Sequence, residues 1–265
     1  MKDILQEIVA NKRKELEARY NSPKMKSMLT DMIGELTRKP VSISSAIEAK
    51  NLAGQPGIIA EFKRRSPSKG DIAPGADLTP VVKAYEDAGA AACSVLTDTR
   101  FFGGALSDLS LARTIVEIPV LRKDFIIDII QIYEAYLAGA DALLLIASCL
   151  NRKEIENFTR LAHDLNMEVL LEIHDESETD KIIPEADMIG VNNRALSSFH
   201  TDVNHSAKLI RNLPENCVKI AESGIKTPDD IRRLRDVGYS GFLIGETFMR
   251  AQNIKATLKE FVNVG

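Results

Sequence analysis

Glu61 and Lys63 stand two residues apart at the end of an apolar run, GIIAEFK (57–63). In a strand they share one face, opposite Phe62. With Phe62 packed against helices, both charges point to the other side. There a carboxylate and an ammonium could hold an anionic group and move a proton; a structural ion pair is the alternative, costly when buried. The pattern recurs at Lys123, near the end of PVLRKDF (119–125), and at Glu172, a lone carboxylate inside the VLLEI that ends MEVLLEI (167–173). Burial would raise the pKa of Glu172 and a nearby lysine would lower it, a balance that produces acid–base groups. ADMIGVN (186–192) leads into Asn192-Asn193-Arg194, CVKIAES (217–223) spans Glu222-Ser223 before Gly224, and GFLIGE (241–246) ends in Gly245-Glu246. Small residues at the last two strand ends let backbone N–H groups approach a phosphate. The basic, hydroxyl-rich RRSPSKG stretch (64–70), which includes Ser66, reads as a mobile cover for an anion or as an exposed turn.

These residues need a frame that brings strand ends together. AACSVLT (91–97) and ADALLLI (140–146) complete a set of eight runs, most of them continuously apolar, as parallel strands covered on both faces are. Helical patterns lie between them, and one starts with Thr227-Pro228, a helix cap followed by proline in the first turn. Regular alternation without an early G-x-G-x-x-G favours an α/β fold of the closed (β/α)8 TIM barrel type over a doubly wound sheet. A single domain over residues 1–265 is expected, with residues 1–56 as a helical N-terminal extension. Its first helix puts Ile4, Ile8 and Leu16 on one face and charge on the other; a second is expected near Lys24–Arg38, then SISSAIEAKN. The extension either caps the bottom of the barrel or covers its active-site face, and periodicity leaves both open.

Composition narrows the function classes. The net charge of −4 argues against nucleic acid as partner. No run approaches the roughly 18 apolar residues of a membrane span, and the N-terminus has no secretory apolar core. Cys93, Cys149 and Cys217 are odd in number, far apart and set among apolar residues, so reduced thiols in a cytoplasmic protein are expected. The four histidines show no ligand spacing, and no metal or cofactor is expected.

AEFKRRSPSKG, SVLTDTRFFGG, PVLRKDFI, LLEIHD, GVNNR, AESGI and FLIGE occur in order, and together they resemble indole-3-glycerol phosphate synthase of tryptophan biosynthesis, over essentially the whole chain. The resemblance implies ring closure of 1-(2-carboxyphenylamino)-1-deoxyribulose 5-phosphate with loss of carbon dioxide and water, by a monofunctional, monomeric enzyme without cofactor. It implies Lys123 as general acid at the carbonyl, Glu172 as its partner in proton transfer, Lys63 at the substrate carboxylate, and Glu61 in dehydration with Asn192 orienting it. Ser223, Gly224 and Gly245, with Arg194 and Ser66 nearby, match phosphate-site positions. Phe102, Phe125 and Leu144 match an apolar slot for the aromatic ring, and Glu222 and Leu243 complete the substrate-binding set. Two positions depart from the pattern: Ala105 stands where many members have serine, and Glu246 where some have a small hydroxyl residue. Glu246 is expected to point away from the phosphate. The competing readings are another phosphate-binding barrel, such as a sugar-phosphate isomerase or epimerase, and a non-catalytic barrel that binds a phosphorylated ligand.

Overall fold

Continuous apolar runs can be buried on both faces only where helices cover one side and a shared interior the other. The computed structural model describes residues 4–21, 31, 38–195 and 200–264. The runs become β1 (Gly57–Phe62), β2 (Ala92–Leu96), β3 (Val120–Lys123) and β4 (Ala142–Ile146). They continue as β5 (Glu168–Ile173), β6 (Met188–Asn192), β7 (Val218–Glu222) and β8 (Gly241–Ile244). Each strand lies parallel to the next and β8 pairs back with β1, which closes the expected barrel.

Two helices precede the barrel, α1 (Ile4–Tyr20) and α2 (Ile43–Leu52). Outside it run α3 (Leu78–Ala88), α4 (Leu106–Ile115), α5 (Ile130–Leu137), α6 (Arg152–Asp164), α7 (Asn204–Leu209), α8 (Pro228–Asp236) and α9 (Ile254–Val262). Thr227 caps α8 as its sequence position suggests, accepting from the Asp230 N–H. After β5 the polar, acidic stretch Glu176–Lys181 makes only a 3-10 helix, since it has no apolar face to bury.

The helical extension divides between the two ends of the barrel. The Ser42 and Ser44 hydroxyls and the Ile43 and Ser44 N–H groups all donate to Glu168, the first residue of β5, at 2.6–3.0 Å. This sets α2 across the bottom, where Ile43 and Ile47 enter the inner core. In contrast, α1 lies over the mouth. Leu5 and Ile8 join the same inner core beside Phe125 and Leu144, while Arg19 and the Tyr20 hydroxyl both bind Glu134 of α5. The helix expected near Lys24–Arg38 falls outside the described residues except for residues 31 and 38.

Candidate active site

Side-chain alternation on β1 sends Phe62 into the outer, helix-facing core, and Glu61 therefore into the barrel. The cavity at the C-terminal ends of the strands, where barrels place their chemistry, has a volume of about 420 Å³. It is lined by Glu61, Lys63, Ser66, Phe102, Lys123, Phe125, Leu144, Glu172, Asn192, Arg194, Ser223, Gly224, Leu243 and Gly245. Of the expected catalytic and substrate-binding residues, only Glu222 does not line it. Ile4, Leu5 and Ile8 of α1 complete the wall, so this part of the extension covers the active-site face.

At the floor, charges alternate around Lys123. Its Nζ lies 2.6 Å from Glu222, 3.3 Å from Glu172 and 3.9 Å from Glu61. Lys63 Nζ donates to Glu61 Oε1 at 2.6 Å. The expected Lys123–Glu172 pair exists, but Glu222 is the closer partner. Burial disfavours the Lys123 charge, yet the three carboxylates outweigh it and push the pKa up, so the ammonium stays charged. Glu61 is fully buried, which alone would raise it, but Lys63 and Lys123 hold it below the usual carboxylate range. For Glu222 burial wins: despite Lys123, it is pushed up to about 8, with Glu172 adding to the rise. Two lysines thus face two ionised glutamates and one protonated one, a neutral set that low-dielectric surroundings can hold. Glu222 approaches so closely that a Cβ on Gly190 would lie 2.1 Å from its Oε1, which leaves no room for a side chain there.

Asn192, expected to orient Glu61, helps hold Glu172 below the usual carboxylate range, and its Oδ1 accepts from the Arg194 N–H at 3.0 Å. The apolar wall is formed by Phe102 and Phe125, tilted rings 5.9 Å apart, with Leu144 and Leu243 beneath them in the inner core.

The opposite side of the cavity has the features an anion requires. Ser223 is a rare non-glycine residue with positive φ, at 66°, followed by Gly224 at 78°. The Ser223 carbonyl accepts from Asn193 Nδ2 at 3.1 Å, which helps fix this turn. Arg194 reaches across to the Ser68 hydroxyl, joining the loop after β6 to the hairpin Arg65–Ser66/Gly70–Asp71 that follows β1. A Cβ on Gly245 would lie 2.7 Å from Glu61 Oε1 and 3.2 Å from Lys63 Nζ. The anion side and the charged floor therefore meet at that glycine.

Two groups escaped the sequence reading, and Glu222 entered it only as a substrate-binding residue and not as a partner of Lys123. Lys12 is buried in the middle of the Ile4–Ile8–Leu16 face, with its Nζ 3.0 Å from both Asp98 and Asp124; a cation at the i+4 position of an apolar face was the available signal. His174 follows Glu172 by two residues, again a same-face spacing, and its Nε2 is 3.3 Å from Glu172 Oε1.

The family model described as indole-3-glycerol phosphate synthase matches residues 5–261. An indole-3-glycerol phosphate synthase from Bacteroides thetaiotaomicron is 47% identical over 262 residues, which are 99% of this chain and 98% of that protein. The chain belongs to the indole-3-glycerol phosphate synthase family. A second synthase, from Polaromonas naphthalenivorans, is 42% identical over 264 residues, covering 98% of each chain. Among solved structures, thiamine phosphate pyrophosphorylase from Pyrococcus furiosus shares the fold alone, with a TM-score of 0.58 and 15% identity over 78% of this chain and 93% of that one.

For a member of the indole-3-glycerol phosphate synthase family, the two departures now have structural content. Ala105 is the N-cap of α4 and makes no side-chain cap, nor does it line the cavity. A hydroxyl there would satisfy a helix N–H and would not touch substrate. Ala105→Ser should raise stability by about 1 kcal/mol and leave kcat and KM unchanged, as thermal unfolding and steady-state kinetics can check.

Glu246 does not point away, as the sequence suggested. It lines the cavity, 3.7 Å from Arg194 Nη2 and 3.2 Å from Arg250 Nε. Glu246 therefore competes with any anion for Arg194. Glu246→Ser should lower KM for a phosphorylated substrate by roughly three- to tenfold, the effect of removing one unit charge about 6 Å from a phosphate in water. The turnover number should change by less than about twofold. An unchanged KM would place the anion beyond the reach of Glu246.

Proposed function

We propose that this chain closes the pyrrole ring of 1-(2-carboxyphenylamino)-1-deoxyribulose 5-phosphate to give indole-3-glycerol phosphate, carbon dioxide and water. The observation that carries the reading is Lys123, an ammonium ringed by three carboxylates at the floor of an apolar cavity whose far side is built for an anion. The phosphate takes the Ser66, Arg194, Ser223–Gly224 and Gly245 side, and the aromatic ring lies against Phe102, Phe125, Leu144 and Leu243.

The carbonyl oxygen then faces Lys123, and the substrate carboxylate faces Lys63. The aromatic carbon that bears the carboxylate attacks the carbonyl carbon, and Lys123 gives a proton to the oxygen as the carbon–carbon bond forms. Departure of carbon dioxide returns its bonding electrons to the ring. Glu222 supplies a proton that ionised Glu172, held by Asn192, relays back to Lys123. Lys123 then gives this second proton to the new hydroxyl, which leaves as water. Glu61, an ionised carboxylate beside Lys63, takes the ring proton that completes the indole, and solvent replaces the one proton consumed overall.

Purified protein mixed with this substrate should generate indole fluorescence, and the dephosphorylated substrate should react with a much higher KM and a lower kcat. Equal KM values for the two would remove the phosphate assignment, and no fluorescence from either would remove the reaction.

Among the described residues no helix is long and apolar enough to cross a membrane, and no group of three or more His, Cys, Asp or Glu could hold a metal ion.

A further inference from the structure

A second polar chain lies behind Glu172, on the side away from Lys123. His174 and Glu172 leave β5 in the same direction. The His174 Nε2 stands 3.3 Å from Glu172 Oε1, while Lys123 approaches the other oxygen, Oε2, at 3.3 Å. The opposite ring nitrogen, Nδ1, is 3.3 Å from the Ser148 hydroxyl and 3.8 Å from Glu178 Oε2. Ser148 in turn donates to Glu178 Oε1. The His174 backbone is fixed as firmly: its N–H donates to Glu178 Oε2 at 2.7 Å, and its carbonyl lies 2.6 Å from His205 Nε2. His174 and Glu178 are both buried. A buried imidazole between two carboxylates is costly unless each partner is used, and the ring-closing chemistry does not use it directly.

We propose that His174, backed by Glu178 and Ser148, is a positioning residue that keeps Glu172 ionised and fixes the plane of its carboxylate for proton transfer. The proposal rests on the role given to Glu172 above and deepens it. The carboxylate is flanked on both oxygens: Lys123, which exchanges protons with it, lies 3.3 Å from Oε2, and the His174 imidazole, which does not, lies 3.3 Å from Oε1.

The charged and titratable groups facing the imidazole are Glu172 on its own strand, Glu178 on the 3-10 helix and Lys123 from β3, while His205 of α7 meets the His174 backbone carbonyl. Burial and Lys123 oppose a charged ring, but Glu178 and Glu172 outweigh them, so His174 titrates above its ordinary value. Glu172 in turn is held below its ordinary value, against burial, by Lys123 and His174.

Replacing the imidazolium by a neutral group lets Glu172 bind its proton at higher pH. In His174→Asn the acidic limb of the kcat/KM profile should move up by about one unit or more. Activity on that limb should fall roughly tenfold and recover at higher pH, with KM little changed. Glu178→Gln should move the limb the same way by less. A superimposable acidic limb in folded His174→Asn overturns the proposal, because a purely structural histidine would lower the melting temperature and leave the profile in place.

A second readout needs no substrate and no His174 variant. Imidazole NMR titration of His174 in the wild-type protein and in Glu172→Gln should show its pKa lowered by about one unit in the variant. An unchanged His174 titration overturns the coupling. Failure of the wild-type protein to turn over the substrate would instead count against the ring-closing reading alone.

Discussion

Lys123→Met should lower kcat at least about a hundredfold in a protein that still folds, since a positioned general acid contributes about 10²–10⁴ in rate. The methionine nearly keeps the length of the side chain and removes the ammonium that lies within 4.0 Å of Glu61, Glu172 and Glu222. Glu172→Gln keeps the shape and removes the ionised partner, so its loss should be of similar order. The two residues act as a unit, and the double variant should be far less impaired than the product of the single losses. Glu222 adds a structural control. Without Lys123 the buried glutamates lose their shared cation and take up protons, so the variant remains able to fold while its proton-transfer group is gone. Near-wild-type kcat in well-folded Lys123→Met would reduce the cluster to a structural ion network.

Lys12→Met should destabilise the protein by about 3–5 kcal/mol, the usual cost of removing one partner from a buried ion pair, and should raise KM. Lys12 Nζ lies 3.0 Å from Asp98 and from Asp124. Asp98 caps the short helix Thr99–Phe102, which carries Phe102 into the cavity wall. Asp124 accepts from Thr97 at 2.6 Å and lies 3.0 Å from Arg122, between Lys123 and Phe125. One lysine therefore fastens α1 to two loops that shape the site. The pH dependence has a defined sign. Burial would raise Asp124, but Arg122 and Lys12 hold it down at about 2. Its contribution to stability is full above the unfolded carboxylate value of about 3.9 and is lost as pH falls toward 2. Lys12 is raised by the same pairing, despite its burial, so its contribution is full below the ordinary lysine value and is lost only as pH rises past it. Denaturant melts should show the largest gap between wild type and Lys12→Met at neutral pH, narrowing between about pH 4 and pH 2. A constant gap across that range would mean that the lysine acts through packing alone.

The strands were legible because doubly covered strands must be apolar throughout, and the floor charges because each broke such a run: Glu61 and Lys63 by alternation, Glu172 as a carboxylate among leucines. The partner of Lys123 was less legible. Glu222 lies four strands away from it in the barrel, and only closure of the sheet brings the two to 2.6 Å. Lys12 stood in plain sight at helical spacing from Ile8, but the face that contained it read as apolar. Whether α1 caps the bottom or covers the mouth depends on Asp98 and Asp124, which are remote in sequence and invisible to periodicity. His174 lacked metal-ligand spacing, and its two-residue offset from Glu172 becomes meaningful only once the strand places both on one face. Glu246 was expected to turn from the anion by repulsion, whereas Arg194 and Arg250 hold it beside the site.

The central claim is that one cavity both forms the carbon–carbon bond and releases the substrate carboxylate. It is tested most directly by single-turnover reaction of 1-(2-carboxyphenylamino)-1-deoxyribulose 5-phosphate with excess enzyme, following indole fluorescence and carbon dioxide together. Lys123, Glu172 and the Lys63–Glu61 pair acting on one bound molecule predict equal amounts of the two products, both abolished together in Lys123→Met. Carbon dioxide released without indole, or no product from folded wild-type enzyme, would contradict the account.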